Sequence, residues 1–137
     1  MKKLRTQIIK YAKKLNITNL STLRSGNVSV RVKEKNTNGF YITPSGVKYS
    51  SLKPKDIIFV SLKGVFDKKK GKPSSEWRFH QDIYVNKKDA KAIVHAHSTC
   101  ATAVSTHQKA IPAFHYMIGV AGGEDIKCAK YATFGTR

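Results

Sequence analysis

A chain of 137 residues is near the usual size of one domain and is long enough to bury a core. With 40% hydrophobic and 25% charged residues it suits a folded soluble protein and excludes disorder. No apolar run approaches membrane-spanning length. The charge is lopsided: 26 Lys and Arg stand against 8 Asp and Glu, a formal net charge of +18. Almost all of the excess is lysine, concentrated at Lys2–Lys14 and Lys68–Lys72. Dedicated nucleic-acid readers favour bidentate arginine and interleaved aromatics. Lysines dotted along helix faces and turns fit a solvated surface instead, and specific nucleic-acid binding is not expected.

The N-terminal MKKLRTQIIKYAKKL starts like a signal peptide, but lysines at 10, 13 and 14 interrupt any apolar core. Within it Leu4, Ile8, Tyr11, Ala12 and Leu15 recur at helical spacing, which predicts an amphipathic helix over 3–15. Residues 16–26 are polar and read as a loop with a short helical turn. Val28, Val30 and Val32 alternate with Ser29 and Arg31, the pattern of a half-buried strand. KEKNTNG is a turn, and 40–43 a return strand.

TPSG at 43–46 is turn chemistry, with Pro44 presetting φ and Gly46 permitting a left-handed residue. DIIFVSL at 56–62 reads as a further strand, and 67–72 as exposed loop. Pro73-Ser74-Ser75 opens a helix with Glu76 in its first turn and Trp77, Phe79 or Ile83, and Tyr84 on its apolar face. Residues 92–97 read as a buried strand and 99–105 as a helix of small residues. The order predicts one domain over 1–137, of mixed α/β (α+β) class with a largely antiparallel sheet. Cys100 and Cys128 fit no paired-cysteine pattern, so a reducing cytoplasm and two buried, inert thiols are expected.

The chemistry concentrates in AIVHAHSTC, 92–100. On a strand, side chains two apart share a face, so His95 and His97 aim the same way. His-x-His by itself is a weak metal signal. Glu76 adds a carboxylate behind a Ser-Ser turn at a helix N-terminus, where N–H groups and the helix dipole attract an anion. Gly26-Asn27 and Thr43-Pro44-Ser45-Gly46 offer two more loops whose backbones can approach a phosphate. Together they point to a phosphorylated small molecule bound beside a metal.

The segments GNVSVR (26–31), ITPSGV (42–47), KPSSEWRFH (72–80), AIVHAHS (92–98), IPAFHYMI (111–118), AGG (121–123) and CAKYATFGTR (128–137) follow one another as in the class II aldolase/adducin family. The chain resembles that family from about Arg24 to Arg137, with a helix also at the expected N-terminal place. The resemblance implies a three-layer αβα sandwich and a zinc enzyme, or one using another divalent metal. Such an enzyme is a lyase cleaving a phosphorylated ketose to dihydroxyacetone phosphate and an aldehyde. It implies His95 and His97 as metal ligands and Glu76 as an acid/base carboxylate that can also approach the metal. Gly26, Asn27, Thr43, Ser45, Gly46, Ser74 and Ser75 match its phosphate-binding loops. Tyr116 matches a tyrosine that exchanges a proton, reaching in from a neighbouring subunit of a homotetramer.

Retro-aldol cleavage leaves negative charge on an enediolate, which a Lewis-acid metal with open positions stabilises, while a phosphate anchor fixes the reacting carbons. His80, His107 and His115 are assigned structural or surface roles. In the family a third zinc histidine lies beyond the FGTR segment. The resemblance therefore implies that residues 1–137 are the N-terminal part of the family domain, expected to expose apolar surface and, alone, to be a poor aldolase. Two alternatives remain open: epimerisation, dehydration or decarboxylation of a sugar phosphate at the same site, or a non-catalytic assembly module like the adducin head.

Overall fold

The computed structural model describes residues 1–22, 24–120 and 122–133; Ala121 of the AGG segment and the FGTR segment lie outside them. Four strands, β1 (Asn27–Glu34), β2 (Thr37–Ile42), β3 (Ile58–Ser61) and β4 (Ala92–His95), form one antiparallel sheet in the order β3-β2-β1-β4. Helices α1 (Lys2–Ile17) and α2 (Trp77–Asn86) cover its two faces, giving the layered α/β arrangement that the sequence predicts. By its contacts the chain divides into two compact units, residues 1–96 and those from 97 onward.

The two faces of β1 position the site. Val28, Val30 and Val32 turn towards α1, joining Ile8, Ile9, Ala12 and Leu15 with Tyr41, Tyr49, Leu52 and Ile57. Burying each large aliphatic side chain here contributes roughly 1.5–3 kcal/mol. Ile9 takes the place expected of Tyr11, which is exposed. The alternate residues Asn27, Ser29 and Arg31 do not face solvent, as a half-buried strand would have them. They lie on the α2 side, beside a second cluster of Phe40, Ile42, Ile58, Val60 and Tyr84.

Arg31 ties that face together. Its guanidinium donates to the carbonyls of Ala90 (2.8 Å), Tyr84 (2.7 Å) and Lys87 (2.8 Å) and lies over the Tyr84 ring. Those carbonyls belong to the end of α2 and the turn after it, where backbone acceptors lack helical partners.

The β1–β2 hairpin turns on Lys35 and Asn36, both at positive φ (46° and 63°), the twist that matches a two-residue hairpin. Residues 54–56 and 68–70 form single 3-10 turns; the latter, read as loop, is capped by Asp67 accepting from the Lys69 N–H at 3.0 Å.

The predicted buried strand at 92–97 needs correction. It is shorter, ending at His95, and among the described residues it is an edge strand paired only with β1. Ile93 packs against the second cluster, but Val94 on the opposite side is 57% exposed. An apolar run records a preference for burial, whereas the neighbour that would cover it is a matter of packing.

From residue 97 onward, α3 (Thr99–Thr106) is followed by an antiparallel bridge between Ile111 and Ile126 and by the short α4 (Met117–Val120). Among the described residues here little is buried apart from Ile118, and Val104, Phe114, Tyr116, Met117, Val120 and Tyr131 are exposed. The thiols also differ from expectation: Cys100 is exposed and Cys128 half-buried. No helix among the described residues is long and apolar enough to cross a membrane.

Candidate metal centre

Antiparallel pairing of β1 with β4 sets Asn27 directly opposite His95 and Ser29 opposite Ile93. All four residues thereby share the α2 side of the sheet. The turn into β1 is made by Gly26 at φ +78°, where a Cβ would lie 2.6 Å from Ser21 Oγ and 2.7 Å from the His95 carbonyl oxygen. Only glycine fits that approach. The Tyr49 hydroxyl donates to the Gly26 carbonyl; burial, with the nearby Glu76 charge adding to it, pushes this phenol up to about 12.

Glu76 is the N-cap residue of α2, one position earlier than the first-turn place expected of it. Its Oε2 lies 3.3 Å from His95 Nε2 and accepts from Asn27 Nδ2 at 2.7 Å. One ligand atom each from Glu76, His95 and His97 lies within 4.8 Å of the others. His95 is half-buried, with the Phe79 ring edge-on at 5.1 Å, and His97 is exposed. The donor set suits zinc, which takes imidazole nitrogen and carboxylate oxygen with bonds of about 2.0–2.2 Å. Two ligands of a tetrahedral ion at such bond lengths stand about 3.3–3.5 Å apart. The His95–Glu76 pair matches that spacing without rearrangement.

Three loops meet beside this cluster. Thr43–Gly46 and 72–75 join by an antiparallel bridge between Pro44 and Pro73, in which Ser74 N donates to Thr43 O (2.9 Å) and Ser45 N to Lys72 O (3.0 Å). Thr43 Oγ1 accepts from the Val28 N–H at 3.3 Å, which links the pair to the Gly26-Asn27 turn. Thr43 and Ser74 are buried, and the Ser74 hydroxyl accepts from the Glu76 N–H at 3.3 Å. Ser45, Gly46 and Ser75 are exposed, and the Gly46 carbonyl is held by Arg24 at 2.9 Å. The sequence-predicted residues Gly26, Asn27, Thr43, Ser45, Gly46, Ser74, Ser75, Glu76 and His95 are thus brought together, with His97 two residues on along the chain. Tyr116 stands in the second unit, exposed, its ring against His115 at 4.4 Å.

His80, assigned only a structural or surface role from sequence, is fully buried. Its Nδ1 meets Ser29 Oγ at 2.7 Å and its Nε2 is hydrogen-bonded to Asn27 Oδ1. Burial, and after it the charge of His95, lowers this imidazole to about 4, against an opposing pull from Glu76. The one signal available in the sequence was its spacing, one helical turn after Glu76.

Residues 6–137 match the class II aldolase and adducin N-terminal domain, and the chain belongs to that family. It is 46% identical over 135 residues to the L-fuculose phosphate aldolase of Escherichia coli K12, covering 98% of this chain and 60% of that protein. It is 43% identical over 133 residues to the 5-methylthioribulose-1-phosphate/5-deoxyribulose-1-phosphate aldolase of Rhodospirillum rubrum, covering 97% of this chain and 58% of that protein. A solved L-fuculose 1-phosphate aldolase superposes with a TM-score of 0.88 at 40% identity, over 97% of this chain and 61% of that one. The chain therefore spans about 60% of the length of these relatives.

Proposed function

We propose that this chain carries the metal and phosphate half of a zinc-dependent lyase that cleaves a ketose 1-phosphate, such as L-fuculose 1-phosphate, to dihydroxyacetone phosphate and an aldehyde. The observation that carries the reading is the meeting of Glu76, His95 and His97 within 4.8 Å. Zinc held there would supply Lewis-acid stabilisation of the negative charge that develops on the substrate's carbonyl oxygen.

The chain's own residues do the rest. Exposed Ser45, Gly46 and Ser75, backed by Thr43, Ser74 and the Gly26-Asn27 turn, anchor the phosphate through N–H and hydroxyl donors and fix the carbon chain. As the C3–C4 bond breaks, its electron pair stays on C3, and the C4 hydroxyl loses its proton to become the aldehyde. C3 is then protonated. Glu76, beside His95, exchanges the proton at C3. Tyr116 from a neighbouring copy in a homotetramer handles the proton on the C4 oxygen, the role that the family resemblance gives it.

The similar identities to the L-fuculose phosphate and 5-methylthioribulose-1-phosphate aldolases favour testing both substrate types. The test is zinc stoichiometry of the purified 137-residue chain, together with dihydroxyacetone phosphate release from each ketose 1-phosphate. One zinc per chain, lost in His95→Ala and His97→Ala, is expected. Any turnover should fall on the order of 100-fold or more in Glu76→Ala. A folded chain that takes up no zinc and releases no product refutes the lyase reading; in that case the assembly-module alternative stands.

A further inference from the structure

We propose that His80 is a positioning residue: through Asn27 it holds the Glu76 carboxylate in place, at the end of a one-way chain of hydrogen bonds that begins at Tyr84. The inference rests on the reading of Glu76 as part of the metal and proton-transfer site.

Five side chains link in series through four hydrogen bonds. Tyr84 Oη lies 2.8 Å from Ser29 Oγ, which lies 2.7 Å from His80 Nδ1. His80 Nε2 meets Asn27 Oδ1, and Asn27 Nδ2 reaches Glu76 Oε2 at 2.7 Å. Tyr84, Ser29, His80 and Asn27 are each at most 1% exposed. Water cannot substitute for a partner that turns the wrong way, and a buried polar atom left unmatched is costly.

The direction of the chain follows from its exposed end. An ionised carboxylate only accepts, so Asn27 must offer Glu76 its NH₂ and offer His80 its carbonyl oxygen. His80 must then donate from Nε2, and the neutral ring accepts at Nδ1. Ser29 spends its one proton on that nitrogen and accepts from the Tyr84 hydroxyl. Burial, which lowers His80 and pushes Tyr84 up to about 12, keeps the imidazole neutral and the phenol protonated, as this order needs.

Each link has a single orientation, so a carboxylate at a half-exposed helix end receives an amide whose rotation is fixed from the core. Sheet register places Asn27 opposite His95, so the amide steadies Glu76 on the side that faces His95. A residue two hydrogen bonds removed from Glu76 thereby shapes the ligand set that the cluster would offer a metal.

Two measurements on the 137-residue chain test this. In the metal-free protein, ¹⁵N imidazole shifts should show His80 as the Nε2–H tautomer with Nδ1 accepting; an Nδ1–H tautomer overturns the chain. Zinc affinity is then compared between His80→Gln, whose amide nitrogen can replace Nε2–H, and His80→Asn, which reaches Ser29 but not Asn27. Gln should stay within a few-fold of the parent, and Asn should lose about 10–100-fold, the usual cost of removing such a supporting partner. In a Glu76→Ala background the difference between the two should vanish. Equal losses in both backgrounds reduce His80 to packing and overturn the proposal. Absence of zinc binding by the parent chain counts against the lyase reading, and the tautomer measurement still decides the chain of hydrogen bonds.

Discussion

Acidification should cost this protein stability through His80 in particular. The imidazole is buried neutral with its affinity for a proton lowered from 6.5 to about 4, while in the unfolded chain it titrates near 6.5. Between those values the unfolded state holds a proton that the folded state lacks, so stability falls as pH falls. It is unaffected above about 7.5 and levels off below about 4, where both states are protonated. At 1.36 kcal/mol per unit, the loss is about 2 kcal/mol by pH 5 and about 3 kcal/mol by pH 4. Urea unfolding of chelator-treated protein at pH 7.5, 6, 5 and 4 measures it, with His80→Gln as the non-titrating reference. Groups remote from His80 contribute alike to both proteins, so the difference between the two curves reports His80 together with its coupling to His95 and Glu76. Parallel curves would refute the reasoning.

Two further outcomes follow from the geometry. Gly26→Ala should destabilise by about 2 kcal/mol or more in a denaturant titration, because a left-handed backbone and contacts at 2.6 and 2.7 Å must both be relieved. Since one of those contacts is the His95 carbonyl, zinc affinity should fall too; unchanged affinity in the folded variant would detach the turn from the metal centre. Arg31→Lys should cost about 2–3 kcal/mol, because an ammonium cannot reach the three carbonyls that the guanidinium fork spans, and a melting temperature equal to the parent's would deny that role.

Much of the scaffold was legible in the residues themselves. Helical spacing of Leu4, Ile8, Ala12 and Leu15 and alternation of the three valines correspond to α1 and β1. KEKNTNG falls at the hairpin, where the turn itself is only Lys35-Asn36 and the residues on either side continue the two strands. Such signals are local: a helix or strand repeats its pattern within a few residues, and turn residues encode φ directly. The His-x-His pair and the Ser-Ser-Glu turn were equally plain as types of chemistry, and the run of motifs marked the family.

Tertiary structure alone decided what covers each face. A period of two says that Asn27, Ser29 and Arg31 share a side, but the pattern is the same whether water or α2 lies against it. The antiparallel register of β1 against β4, distant in sequence, sets Asn27 beside His95 and turns polar residues inward. His80 became a buried partner of Asn27 by the same packing, and Val94 an exposed residue on an edge strand. Composition and periodicity carry no record of register between segments more than sixty residues apart, because that register is chosen by the fit of side chains across the whole sheet.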